Sequence, residues 1–137
     1  AREYQKGKNL NYLVEFLDEE EQPIYTLFYQ DGVVSGELGL PTVEHRPIDL
    51  LLLTVPGWTQ VEEYPKPSLE RFRPREIVLS HFDEFLQKPE EGFQILRNCN
   101  LDGFLVRTQE ILDESSIPAT ITIPTIGTRM TFPLALP

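Results

Sequence analysis

Leu50-Leu51-Leu52-Leu53-Thr54-Val55 is an unbroken apolar run that ends at Pro56-Gly57. A short run of this kind, closed by turn-forming residues, predicts a strand that is covered on both faces of its sheet. A second such strand is predicted at Ile77-Val78-Leu79, and the segment Pro65 to Arg73 between them has the apolar spacing of a short helix. A strand, a helix and a strand form a crossover connection, so the two strands are predicted to be parallel.

Upstream of this unit, alternating polar and apolar residues predict an antiparallel hairpin. Its strands are placed at Leu10–Leu17 and Ile24–Tyr29, and the polar segment Asp18–Pro23 is of hairpin length. After Asp31-Gly32, glycines and a proline predict an irregular loop of about fifteen residues, and long loops inside compact domains are often functional.

Downstream, apolar residues at helical spacing predict an amphipathic helix over Gly103–Glu114. Two last strands are predicted at Ala119–Ile123 and Arg129–Phe132, joined by a hairpin-like turn at Pro124–Thr128. The predicted fold class is therefore α/β (α+β), with a mixed sheet of about six strands and two helices. Residues 1–137 contain no repeat or linker that would divide the chain, which predicts a single domain.

Composition restricts the function classes. The chain has 22 acidic and 12 basic residues and a formal net charge of -10, which repels phosphate backbones and anionic lipid surfaces. Nucleic-acid and membrane partners are therefore not expected. No stretch approaches the roughly 20 consecutive apolar residues of a membrane span, so the chain is predicted to be soluble. The compartment is not determined, and the cytoplasm is the default expectation.

The run from Glu76 to Phe85 carries the first candidate site residue. Its strand ends at His81, and the carboxylates Asp83 and Glu84 follow closely. Asp31 follows the hairpin, and ligands collect outside the carboxyl ends of strands in α/β sheets, so Asp31, the Trp58 loop and His81 are predicted to converge. Imidazole and carboxylate together suit zinc, iron or manganese, but two ligands are too few, because a catalytic zinc takes three protein ligands and a water.

The order and spacing of these segments resemble the C-terminal half of the metallo-β-lactamase superfamily fold. The resemblance runs from about Asn9 to Phe132. It rests on five segments: Tyr29-Gln30-Asp31, Asp49-Leu50-Leu51-Leu52-Leu53, Tyr64-Pro65, Pro74 through Ser80-His81-Phe82-Asp83-Glu84-Phe85, and Ile123-Pro124-Thr125-Ile126-Gly127-Thr128.

The resemblance implies half of an αβ/βα sandwich and a share in a dinuclear metal site that activates water. Asp31 would bridge two divalent metals, His81 would complete the second metal site, and Asp83 or Glu84 would fix the His81 tautomer. Zinc is the expected metal, with iron and manganese as alternatives, and the substrate would be a small molecule with a carbonyl or phosphoryl centre.

The chain also departs from that family. Gln30 stands where the wider superfamily usually has glycine before the aspartate. No segment matches the family's main ligand motif, His-x-His-x-Asp-His, and the family's middle ligand histidine is not visible. His45 lies in a loop after Asp31, which is the wrong place for it. The chain alone is therefore expected to be inactive, and an N-terminal half that was removed, or a partner chain, would have to complete the site.

Alternatives remain open at each position. His81 is either a metal ligand or a strand-end histidine bonded to its neighbours, and Asp31 is either a ligand or a turn former. Trp58 either lines a pocket or packs as a lid. The competing function is a non-catalytic acidic binding or assembly module that buries an open sheet against a second copy of itself or a partner chain.

Overall fold

The computed structural model describes residues 10–43, 46–84, 88–125 and 127–132. The elements are, in chain order, β1 (Tyr12–Leu17), β2 (Pro23–Gln30), β3 (Leu50–Thr54), α1 (Lys66–Phe72), β4 (Glu76–Ser80), α2 (Leu101–Glu114) and β5 (Thr120–Thr122). Short 3-10 turns lie at Trp58–Gln60 and Pro89–Glu91.

The five strands form one mixed sheet in the order β1-β2-β3-β4-β5. β1 and β2 pair antiparallel, whereas β2, β3, β4 and β5 are parallel to one another. These pairings confirm the predicted hairpin and the predicted parallel crossover through α1. The general class, a mixed sheet with two helices, is also as the sequence predicted.

The sixth predicted strand differs in the structure. Residues Arg129–Phe132 have no strand pairing, and the turn before them is closed by the Thr128 N–H, which donates to the Thr125 carbonyl oxygen at 3.0 Å. Met130 and Phe132 instead pack against Tyr25 and its apolar neighbours on the sheet. Alternating apolar residues fit a covering segment as well as a strand, so the pattern alone did not distinguish the two.

One face of the sheet, here called the covered face, packs against both helices. Side chains alternate between the two faces of a strand, and residues paired in register share a face. The side chains that the covered face and the two helices pack against each other are almost fully buried. They are Phe28, Leu51, Leu53, Ile77 and Leu79 from the strands, Leu69 and Phe72 from α1, and Phe104, Ile111 and Leu112 from α2.

The opposite side, here called the open face, has no helix against it in the described part of the chain. It carries Tyr12, Val14 and Phe16 on β1, Tyr25, Leu27 and Tyr29 on β2, and Leu50, Leu52 and Val78 on β3 and β4. Tyr12 is 51% exposed, Val14 40% and Phe16 50%. Met130 and Phe132 cover only the region around Tyr25, Leu50 and Val78.

Residues next to each helix mark where it begins or ends. α2 begins behind Asn100, whose side chain accepts a hydrogen bond from the Gly103 N–H at 3.3 Å. α1 ends at Phe72, and the next residue, Arg73, adopts a left-handed conformation with φ of 44°. Over the described ranges, neither helix is long and apolar enough to cross a membrane.

Candidate functional site

Asp31 lies directly after β2 and is held there by its backbone. Its N–H donates to the Asn11 side-chain oxygen at 3.1 Å, and its carbonyl oxygen accepts from the Thr54 hydroxyl at 3.1 Å. Thr54 is the last residue of β3, and its own carbonyl oxygen accepts from the buried Tyr64 hydroxyl at 2.6 Å. These bonds tie Asp31 to the carboxyl end of the neighbouring strand.

His81 follows β4 at the same edge of the sheet. Its φ of 60° lies in the left-handed region, which strains a residue that has a Cβ atom. Such strain persists only where the surrounding structure imposes it, and it is concentrated at functional sites. The imidazole is 56% exposed, so a ligand can reach it.

The structure brings Asp31 and His81 together, as the sequence predicted. Their nearest atoms, Asp31 Oδ1 and His81 Nε2, are 3.7 Å apart. The Tyr29 hydroxyl lies between them, 2.7 Å from Asp31 Oδ1 and 3.0 Å from His81 Nε2. Three side chains from β2 and the end of β4 therefore form one connected group at the carboxyl ends of the strands.

The direction of these hydrogen bonds follows from Tyr29. Burial, assisted by the carboxylate of Asp31, raises the pKa of Tyr29 to about 12, so the phenol keeps its proton at neutral pH. A phenol has one proton and a carboxylate only accepts, so Tyr29 donates to Asp31. Tyr29 then accepts from the Nε2–H of His81, which selects the tautomer of that ring.

Asp31 and His81 fit one side of a metal site. Zinc binds nitrogen and oxygen at about 2.0–2.2 Å, which places two ligands of a tetrahedral site about 3.3–3.6 Å apart. The observed 3.7 Å is slightly wider, and a cation bound there would replace the Nε2 proton that His81 donates to Tyr29. No group of three or more histidine, cysteine, aspartate or glutamate side chains suited to a metal occurs among the described residues. His45 lies outside them.

Asp83 and Glu84, which were predicted to orient His81, are positioned by backbone pairing in the structure. Asp83 forms an isolated backbone bridge with Ile95 and lines a groove beside His81. The Glu84 N–H donates to the Gln94 carbonyl oxygen at 2.9 Å. The ring nitrogen of His81 faces Tyr29 instead, and a role for Asp83 or Glu84 in fixing the His81 tautomer stays a prediction.

Trp58 packs against the beginning of α2. Its indole N–H lies 3.2 Å from the carbonyl oxygens of Cys99 and Asn100, and its ring centre is 5.9 Å from that of Phe104. The Arg107 guanidinium lies 5.9 Å from the indole centre. These contacts favour the packing interpretation of Trp58 over the pocket-lining one.

Gln30, the residue that departs from the family pattern, is buried on the covered face. Its side-chain oxygen accepts from the Ser68 hydroxyl of α1 at 2.6 Å. Both residues are almost fully buried, at 1% and 2% exposure. Gln30 therefore joins β2 to α1 and holds the strand that carries Tyr29 and precedes Asp31.

Sequence reasoning assigned no role to Tyr29 or Asn11. The signal for Tyr29 was present, because residues two apart on a strand share a face and Tyr29 stands two before Asp31. Asn11 left no such signal. It bonds the Asp31 backbone and, through its side-chain N–H, the Gly39 carbonyl oxygen at 2.9 Å, a contact made across 28 residues.

Comparisons of this chain with protein-family models, with curated proteins and with solved structures gave no match. The resemblance to the metallo-β-lactamase superfamily therefore stays a prediction from the sequence.

Proposed function

We propose that this chain is the C-terminal portion of a metal-dependent hydrolase of the metallo-β-lactamase superfamily. In this proposal, Asp31 and His81 supply part of a dinuclear site for divalent cations, with zinc expected first and iron or manganese as alternatives. One observation carries the proposal: two side chains 50 residues apart in the chain present an oxygen and a nitrogen 3.7 Å apart at the carboxyl ends of parallel strands.

The open face supports a site that another layer completes. Tyr29 belongs both to the open face and to the candidate site, and Tyr12 stacks on it with ring centres 6.3 Å apart. A layer that covered the exposed apolar side chains of β1 would therefore reach the edge of the site. Such a layer, from an upstream half or a partner chain, would supply the remaining ligands.

The roles of this chain's own residues follow from their contacts. A cation held there would polarise a carbonyl or phosphoryl oxygen and make water nucleophilic near neutral pH. Asp31 offers the charge that attracts the cation, and its backbone bonds to Asn11 and Thr54 fix its position. His81 offers Nε2, which in the absence of metal lies against the Tyr29 hydroxyl.

A zinc titration of the isolated chain, followed by NMR signals of the histidine rings, tests the proposal. We expect weak binding that shifts the His81 ring, because two ligands do not fill the coordination sphere. Asp31→Ala and His81→Ala should each weaken binding by at least about ten-fold, the loss that even outer partners of a metal ligand cause. His45→Ala is the matched control, since the chain has only two histidines.

Two results would contradict the proposal. Tight, stoichiometric zinc binding by this chain alone would show that the site is not incomplete. Zinc binding that leaves the His81 ring unshifted would show that His81 is not a ligand. A His-x-His-x-Asp-His motif in the coding sequence upstream of Ala1, or in a co-purified chain, would identify the source of the other ligands.

The second candidate is the non-catalytic assembly module, and the exposed apolar side chains of the open face favour it. Tyr12, Val14, Phe16 and Leu17 are all at least 40% exposed on one strand. Contiguous apolar patches of this kind mark interaction surfaces. A chain that forms a stable dimer or complex through β1, with no zinc response at Asp31 or His81, would favour this module.

A further inference from the structure

A groove with a volume of about 300 Å³ lies directly beside His81, on the side away from β1 in the strand order. The groove is at the small end of the range of about 300–1,000 Å³ for ligand pockets. Its walls are mostly apolar. His81 lines the groove and also belongs to the candidate metal site. The other side chains that matter are Phe82, Asp83, Phe93, Pro124 and Thr125.

The first wall of the groove is built by backbone pairing. The Leu96 N–H donates to the Phe82 carbonyl oxygen at 2.9 Å, and the Glu84 N–H donates to the Gln94 carbonyl oxygen at 2.9 Å. This pairing holds the ring of Phe93 edge-on against that of Phe82, with centres 5.8 Å apart. Phe82 is buried, whereas Phe93 is 37% exposed and available to a ligand.

The second wall is a closed turn. The Thr128 N–H donates to the Thr125 carbonyl oxygen at 3.0 Å, and the Thr125 N–H donates to the Thr128 hydroxyl oxygen at 3.1 Å. Pro124 precedes this turn and restricts the backbone further. Both walls are therefore set before a ligand arrives, which lowers the entropy lost on binding.

The charges around the groove select the ligand class. No lysine or arginine is among the described residues that line it, and the acidic residue Asp83 is one of them. The chain as a whole carries a net charge of -10. An anionic group seated in the groove would be repelled by this acidic residue and by the long-range field. An uncharged apolar group meets no such repulsion.

We propose that this groove binds an uncharged aromatic group of the substrate and so places the reacting centre beside His81. This inference rests on the proposed function, which supplies the reacting centre, whereas the binding of the aromatic group needs only the groove.

The test uses two matched phenyl probes, acetanilide and phenyl phosphate, titrated against the isotope-labelled chain and followed by amide NMR shifts. Acetanilide should perturb the amides of His81, Phe82, Phe93 and Thr125, while phenyl phosphate should not. Phe93→Ala should weaken acetanilide binding about five-fold or more, because it removes the exposed apolar contact. Phe93→Leu should weaken it less and keeps the fold if the alanine variant does not.

Two control variants separate the groove from the rest of the molecule. Phe16→Ala removes an exposed ring from the open face, beside a second apolar groove of about 460 Å³, and should leave acetanilide binding unchanged. Asp83→Asn removes the acidic group and should raise phenyl phosphate binding.

The proposal is overturned if neither probe binds, if phenyl phosphate binds the groove as well as acetanilide, or if acetanilide shifts centre on Phe16 and Leu17. It is also overturned if both Phe93 variants bind as the unaltered chain does. These outcomes are independent of the metal titration. Zinc binding without Asp31 and His81 would refute the proposed function and leave a positive acetanilide result standing, and Phe93→Ala should leave zinc binding unchanged.

Discussion

The covered and open faces of the sheet are built from similar apolar residues but bury them to very different extents. On the covered face, Leu51 and Phe104 are fully buried between strands and helices. On the open face, Val14 and Phe16 alternate as regularly as core residues and yet remain 40% and 50% exposed. The alternation of β1 is typical of a strand whose apolar side is covered by another apolar layer. Among the described residues, such a layer covers the open face only around Tyr25.

This difference separates two tasks within one sheet. The covered face provides stability, because burial of apolar area is the main favourable term in folding. The open face leaves apolar side chains of β1 exposed and carries the candidate site, Tyr29, Asp31 and His81, at its edge. The first two predictions below compare a residue of the covered face with one of the open face, and the third concerns tyrosines of the open face.

The largest expected difference is between two phenylalanines. Phe104→Ala should lower the free energy of unfolding by about 3–5 kcal/mol, because it leaves a cavity in a packed core. Phe16→Ala should lower it by about 1 kcal/mol or less, since half of that ring is already exposed. Urea unfolding of both variants measures the difference.

Equal losses for the two phenylalanine variants would break the comparison. They would mean that Phe16 is buried in solution, by a second copy or by segments outside the described residues. Repeating the Phe16→Ala measurement over a range of protein concentrations distinguishes these cases, because only self-association makes stability depend on concentration.

An intermediate difference is expected between neighbours on β2. Gln30→Ala should cost about 1–3 kcal/mol, because it leaves the buried Ser68 hydroxyl without its partner. Tyr29→Phe should cost about 0.5–1.5 kcal/mol, the usual net worth of hydrogen bonds that remain partly exposed.

The double variant of Gln30→Ala and Ser68→Ala sharpens this result. Its cost should be smaller than the sum of the two single costs, because the second substitution removes the group that the first left unpaired. Additive losses would contradict the Gln30–Ser68 bond as the reason. If Tyr29→Phe lowered the free energy of unfolding more than Gln30→Ala, the candidate site would contribute more to stability than this buried bond of the covered face.

At neutral pH the smallest effect is expected at Tyr25, whose influence on stability appears mainly at alkaline pH. The pKa values of Tyr25 and Tyr29 are raised from 10.0 to about 12, chiefly by burial. Between these values the unfolded chain loses phenol protons that the folded chain retains, so stability should fall as pH rises from about 10 to about 12.

Tyr25→Phe should reduce this alkaline loss while changing stability at pH 7 by no more than about 1 kcal/mol, since the buried Tyr25 hydroxyl has no hydrogen-bond partner among the described residues. Unfolding experiments at a series of pH values, with phenolate absorbance as the second signal, measure it. If the free energy of unfolding of the variant fell with pH as steeply as that of the unaltered chain, the alkaline loss would not come from Tyr25.

The predictability of the fold differed among its elements. The strand at Leu50–Thr54 and the strand at Glu76–Ser80 were found because buried parallel strands are continuously apolar, and their signal is local. Residues 129–132 were predicted as a strand and are not one. Met130 and Phe132 pack against the open face, and alternation along the chain does not encode such a long-range contact.

The candidate site was only partly predictable. Asp31 and His81 could be predicted to meet because each follows a strand end and parallel strands end at one edge. The distance between them could not be predicted, nor could Tyr29 as the group that joins them. The role of Asn11 could not be predicted, because its bonds to Asp31 and Gly39 depend on how β1 and a distant loop pack together.

By itself, the sequence determined the class of the sheet, the parallel crossover, the acidic surface and the two residues brought to one edge. These depend on periodicity, turn residues and charge, which are properties of neighbours along the chain. Only the tertiary structure decided which face the helices cover, which apolar residues stay exposed, and that a tyrosine hydroxyl lies between Asp31 and His81. Those outcomes depend on which distant segments pack together, and packing energies are set by contacts that local pattern does not contain.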